Sequence, residues 1–314
     1  MDPDRRSKAG VPDDITFRTK PEIALHQIRT ALAAGIPRGI VLMDAGYGAD
    51  TKLRTAITEL GLTYAAGVQP HTSVWRPGEG PLPPKPWSGR GRPTSQRRRD
   101  AEHQPVKVKD LALALPTSAW ETVTWREGSA GQLTSRFARL RVRAAHRDEK
   151  LKESRPEEWL LVEWPEDEAQ PTKYWLSTLP ESISFADLVD ATKLRWRIER
   201  DYQDLKQEVG LGHYEGRGWR GFHHHATLCI AAYGFLISER GAFPPQDGSQ
   251  PANSSRLSFP RVDDPALPPL RPERHVTNSI ATMRRRLTVA LARTLSRCPC
   301  CLAPPRNPSH LRRS

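Results

Sequence analysis

The sequence predicts an α/β fold, and three observations carry that reading. Residues 21–69 alternate between helical and extended patterns. Residues 106–177 hold a series of short β-like runs, and from Phe185 onward the apolar spacing is helical again. An α/β layer is therefore interrupted by a β-rich insertion and followed by a helical, basic C-terminal tail.

In chain order, "PEIALHQIRTALAAGI" (Pro21 to Ile36) places Ile23, Ala24, Ile28 and Leu32 at helical spacing behind a starting proline. The apolar run Ile40–Met43 reads as a buried strand and ends on Asp44. Asp50 can cap a helix through Leu60, with Leu53, Ile57 and Leu60 on one face. Residues 62–69, "LTYAAGVQ", read as a second strand, parallel to the first. Residues 1–69 thus form one region. Residues 70–184 form the next, opening on a Pro-, Gly- and Arg-rich loop to Pro105 that is expected to be mobile. Its later runs, "VKVKDLALAL", "WETVTW", "RFARLRVRAAH", "EWLLVEW" and "TKYWLSTL", suggest an antiparallel sheet. Residues 185–240 contain a long helix from Ala186 to about Gly210 and a second from His223 to Glu239, apolar nearly all round and expected to be buried. Residues 241–276 read as a linker, and 277–314 as a basic amphipathic helix with a disordered end.

The 314 residues carry 48 Lys+Arg against 36 Asp+Glu, a formal charge of +12. The excess is concentrated: Asn253–Ser314 holds twelve Arg against three acids, and Lys85–Lys109 eight basic residues against two. Concentrated positive charge suits a polyanion such as nucleic acid. No run approaches the ~18 apolar residues that would span a membrane. No apolar signal core opens the sequence, so cytoplasmic residence is the default. "CPCC" (Cys298, Cys300, Cys301) has no second ligand pair at zinc spacing. Nor can three adjacent histidines, His223–His225, readily share one ion, because they point in different directions on a helix.

On a helical wheel with Arg195 at zero, Glu199 falls at about 40° and Lys206 at about 20°. Leu194, Ile198, Tyr202, Leu205 and Val209 form an apolar face beside that stripe, between about 260° and 340°. By itself this is also the pattern of a solvated face with an i,i+4 ion pair. Asp44, in "VLMDAGYG", is likewise compatible with a plain turn residue.

The spacing Arg195, three residues, Glu199, six residues, Lys206 resembles the end of the Y-x2-R-x3-E-x6-K signature of a large group of bacterial insertion-sequence transposases. Residues 195–225, "RWRIERDYQDLKQEVGLGHYEGRGWRGFHHH", are similar to the extended block of that group. "WREGS" (Trp125 to Ser129) and the final "RRRLTVALARTLSR" also fit it. The resemblance implies an RNase H-like core with an Asp-Asp-Glu triad and a β insertion ahead of the glutamate. It implies Asp44 and Glu199 as catalytic carboxylates holding Mg²⁺ or Mn²⁺. It further implies Arg195 and Lys206, with Arg197, Arg217 and Arg220, as contacts to the phosphates of double-stranded DNA at the terminal repeats, and assembly as a homodimer on that DNA. Glu208 and Glu215 are passed over because the Arg and Lys spacing selects Glu199.

Two departures stand out. The signature's Tyr position is Thr192. No strand–acid–strand pattern precedes Asp44, and Asp2, Asp4, Asp13 and Asp14 lie in polar, Pro-containing sequence. The expectation is an N-terminally truncated transposase with an incomplete RNase H-like core, its first strands and first Asp missing, and inactive alone. A non-catalytic DNA-binding remnant is the alternative. A carboxylate hydrolase acting on sugars explains neither the basic stretches nor Lys206.

Overall fold

Asp2 and Gly10 bracket the first helix, α1 (Pro3–Ala9): the Asp2 carboxylate accepts from Arg5 N at 3.2 Å, and Gly10 closes the helix at φ 64°. In α2 (Lys20–Ala33), Thr19 and Glu22 form a capping box. Strand β1 (Ile40–Met43) runs into the single turn α3 (Ala45–Gly48), then α4 (Thr51–Glu59), capped by Asp50, and strand β2 (Thr63–Val68). β1 and β2 are parallel, with Ile40 opposite Thr63 and Met43 opposite Ala66.

The chain continues through β3 (Ser73–Trp75), β4 (Val106–Lys107), α5 (Val108–Leu113), β5 (Glu121–Gly128), β6 (Gly131–Ala144), β7 (Glu158–Trp164) and β8 (Lys173–Ser177). These strands do not form a sheet apart. β8 pairs antiparallel with β2, and one sheet runs β1-β2-β8-β7-β6-β3-β4, with β5 also on β6. Helices α6 (Phe185–Lys193), α7 (Trp196–Gln207), α8 (Trp219–Ala242) and α9 (Ile280–Thr294) complete the elements. This computed structural model describes residues 2–87, 89–91, 95–128, 131–242 and 279–295. They divide into two compact units: Thr16–Arg197, and Met1–Ile15 with Ile198–Ser314. The linker expected at 241–276 falls almost wholly outside the described residues, as do Ser129 and the cysteines of "CPCC".

In the larger unit the sheet is covered on both faces. Leu160, Val162 and Leu176 join Leu53 and Ile57 of α4 and Val108 and Leu111 of α5 in one core. Trp159, Leu161 and Trp175 join Leu188 and Val189 of α6 in the other. Successive residues of β7 therefore find apolar partners on opposite faces, which is why Trp159–Val162, "WLLV", reads as an unbroken apolar run. About 25 cal/mol per Å² of buried apolar area stabilises each layer.

Several expectations are corrected. "VKVKDLALAL" is a two-residue strand followed by helix: Val108, Leu111 and Ala112 are its buried residues, a helical spacing hidden in an alternating run. Within the loop expected to be mobile, the described residues near 82 and 98–99 are tied to the rest of the unit. Leu82 and Arg98 form a two-bond antiparallel bridge, and Arg99 Nη2 reaches Asp148 Oδ1 at 2.5 Å and Ala145 O at 2.6 Å. Asp148 also accepts the Trp75 indole N–H at 2.5 Å, so part of that basic charge is neutralised internally.

The long helix from Ala186 is broken into α6 and α7 by a turn at Leu194 and Arg195. Thr192 Oγ1 bonds back to Val189 O at 2.7 Å, a contact that bends helices, and Arg197 N closes a short i→i−3 bond on Leu194 O. The second unit does not bury the faces expected of it. In α8, Leu228 and Ile230 are each 57% exposed and only Cys229 and Leu236 are buried among its described side chains. In α7, Ile198 and Tyr202 are exposed while Asp204 is buried, held by Arg200 at 3.2 Å.

Candidate nucleic-acid interface and acidic residues

Asp44 is half-buried at the C-terminal end of β1. Its Oδ1 accepts the amide N–H groups of Gly46 at 2.9 Å and Tyr47 at 3.1 Å, capping α3. The turn residue and the presented acid are thus the same group: one oxygen is committed to the cap, and the cap sets the direction of the carboxylate. Space for the turn comes from two glycines. A methyl at Gly48 would be driven into Gly67 O, and one at Gly67 would lie 3.0 Å from Ala45 N.

Glu199 and Lys206 are exposed on α7. They remain about 20° apart on that helix. Lys206 Nζ lies over the Tyr202 ring at 5.9 Å. Arg195 is half-buried and stands in the turn ahead of α7, so the single-helix wheel that aligned it with Glu199 does not apply across the break. Arg197, exposed, lies in the first turn of α7. Asp44, Arg195 and Arg197 belong to the larger unit; Glu199, Lys206, Arg217 and Arg220 belong to the other.

The stretch 210–225 is knitted around Tyr214. Its hydroxyl donates to Gly218 O at 3.0 Å, and its ring contacts Phe222 and His225. A methyl at Gly216 or Gly221 would collide with that ring. The glycines therefore make a slot; Arg217 in the loop beside it and Arg220 in the first turn of α8 are both exposed. The three histidines diverge. His223 stacks on Trp219 at 4.2 Å, whereas His225 Nε2 lies 3.0 Å from Gly210 O and 3.6 Å from Cys229 Sγ.

Behind Asp44 the larger unit holds a polar network that the sequence reading missed. Arg54, 4% exposed, donates from Nη1 to Gly48 O and lies 3.5 Å from Thr51 Oγ1. Glu158, 6% exposed, accepts the Tyr64 hydroxyl at 2.5 Å. Burial pushes the Glu158 carboxyl above the ordinary carboxylate range, opposed chiefly by the Arg54 charge. Burial and the Glu158 charge push the Tyr64 phenol up. His146, 3.1 Å from Thr51 Oγ1, is lowered by burial and by Arg147, Arg155 and Arg54. The only signal in the sequence was position: Arg54 sits between Leu53 and Ile57 on the apolar side of α4, and Glu158 opens an apolar strand.

Carboxylate oxygens, such as those of Asp44 and Glu199, are the donor type that suits Mg²⁺ or Mn²⁺. Among the described residues, however, no three His, Cys, Asp or Glu side chains gather into a metal-binding group. Each unit contributes one of the two acids, and one Asp44 oxygen already serves as a cap. The described residues of neither unit form a preformed divalent-ion site. No helix among the described residues is long and apolar enough to cross a membrane.

Residues 1–132 match the profile of a family described as DDE superfamily endonuclease. The match supports a DDE-type endonuclease/transposase family, whose members act on DNA and typically use divalent metals. It includes Asp44, Arg54 and Tyr64 and stops short of Glu199. A comparison with curated proteins gave no match.

Proposed function

We propose that this chain acts on double-stranded DNA as the insertion-sequence transposase its motifs resemble. Asp44 and Glu199 are its carboxylates, and Arg195, Lys206, Arg197, Arg217 and Arg220 its phosphate contacts. One observation carries the reading: Asp44 stands at the C-terminal end of β1, inside the stretch that matches DDE superfamily endonucleases. The exposed Lys206, Arg197, Arg217 and Arg220 support it, because phosphate contacts must be reachable and positive. The substrate is the terminal repeats of an insertion sequence, gripped by a homodimer.

On this reading, with no ligand set gathered among the described residues, the chain by itself binds duplex DNA without cutting it. Labelled duplex titrated at rising salt tests this. Binding should weaken steeply, and Arg217→Ala with Arg220→Ala should reduce the log–log slope by roughly two. Salt-independent binding, or a slope unmoved by both changes, counts against the assignment. A Mg²⁺-dependent nick abolished by Glu199→Ala would overturn the claim that the chain does not cut.

A further inference from the structure

The network behind Asp44 has a direction. α3 is a single turn, and single turns do not hold themselves. The Gly48–Gly67 contact lets α3 approach β2, but glycine backbones in contact are as free to separate as to touch. The directional contact comes from Arg54 on α4, which donates to Gly48 O at the end of the turn. A guanidinium this buried is costly unless its charge is matched and its donors are used. Glu158 of β7 is the buried acid whose charge acts on Arg54, without a direct ion pair, and it is itself anchored by Tyr64 of β2. From the core outward, the Tyr64 hydroxyl bonds Glu158, the Glu158 and Arg54 charges act on each other through the core, and Arg54 bonds Gly48 O at the end of the turn that the Asp44 carboxylate caps. Packing does not require it. An apolar side chain of similar volume at Arg54 would sit beside Leu53 and Ile57 in the same core.

We propose that Arg54 is a positioning residue for Asp44: braced by Glu158 and Tyr64, it clamps the α3 turn and so fixes the carboxylate at the end of β1. The functional consequence rests on the reading of Asp44 as a site carboxylate; the clamp itself does not.

Amide hydrogen exchange on the full chain tests the clamp without DNA or metal. Gly46 and Tyr47 N–H are held by Asp44 Oδ1, and Gly48 N–H by Asp44 O at 2.7 Å. In Arg54→Met/Glu158→Leu, the buried charges are replaced together. These three amides should exchange at least about tenfold faster, while the Ala65–Ala66 amides of β2 and Leu176 of β8 keep their protection. Equal protection of α3 in the folded variant overturns the proposal, and so does loss of protection throughout the sheet. If the double variant does not fold, Arg54→Lys keeps the counter-charge and loses the forked donor. The same α3-selective acceleration is expected, and its absence overturns the proposal. Mn²⁺ added to the unaltered chain reads the other premise. If the Asp44–Gly48 resonances are not broadened, Asp44 is not a metal ligand, and the exchange result for Arg54 stands on its own.

Discussion

The Lys193 ammonium lies 2.5 Å from Glu163 Oε1, and both side chains are buried. Lys193 closes α6, Glu163 stands on β7, and the cation also faces the rings of Trp125 at 4.4 Å, Phe137 at 5.3 Å and Trp175 at 5.5 Å. Burial lowers the lysine's proton affinity, and Glu163 restores part of it. The pair pins the last turn of α6 to the sheet just before the break at Leu194. Lys193→Met should cost about 3 kcal/mol, the low end for a broken buried pair, because Lys173 stays 3.8 Å from the other Glu163 oxygen. Lys193→Met/Glu163→Leu should recover most of that. Urea midpoints of the two variants check it; a single variant as stable as the parent sinks the idea.

Stability should carry a pH signature from Glu158. Its folded pKa is raised above the ordinary 4.5, so the folded chain holds that proton more tightly than the unfolded one. The stability this contributes is fully present below that value and is lost as pH rises through the folded pKa. Glu158→Gln cannot titrate. The stability of the parent relative to this variant should therefore fall as pH rises above about 4.5 and through the folded pKa. Urea unfolding of both proteins across that range is the measurement, and a constant difference would contradict it.

Gly48 should tolerate no side chain. Gly48→Ala drives a methyl into the Gly67 carbonyl, which the paired β2 backbone cannot easily withdraw. A loss of about 1–3 kcal/mol or more follows from overpacking. Gly39→Ala is the control, since a methyl there meets nothing within 4 Å. It should change stability by no more than about 0.5 kcal/mol. Equal effects at the two positions would show that the α3–β2 approach is not tight.

At Gly221 the obstacle is a side chain, so the damage should be reversible. Gly221→Ala pushes against the Tyr214 ring, and Tyr214→Ala empties that space. The two changes together should be less harmful than their sum, with a coupling of about 0.5–3 kcal/mol. Duplex affinity should follow the same pattern, because the slot sets the loop bearing Arg217 against the first turn of α8, which bears Arg220. Strict additivity would mean that Tyr214 does not fill the slot.

Much of the larger unit was legible because its signals are local. Asp50 capping Leu53 N, the four-residue strand ending at Asp44, and the alternating runs of β6 to β8 each depend on neighbours a few residues away. α1 was legible too, in Asp2, Pro3 and Gly10, and was passed over as polar sequence. What could not be read depends on partners far along the chain. Arg54 needs Glu158, and Arg99 needs Asp148; nothing within either stretch announces the other. The break at Leu194 arises from a threonine back-bond that an amphipathic wheel cannot register. The faces of α7 and α8 were misjudged for a related reason. An apolar pattern states a preference for burial, and burial also requires an element that covers it.

The pairing of Ala65 with Ser177 sets a timetable for synthesis. β1 and β2 leave the ribosome early, and the strand that closes the open side of β2 is made more than a hundred residues later. At the usual pace of translation that is a wait of several seconds or more. During it a nascent two-stranded parallel ribbon carries Tyr64, Ala66 and Val68 with no strand beside them. Chaperone holding of the growing chain, or faster elongation across 70–170, should therefore raise the yield of folded protein more than any change at the surface of the finished molecule.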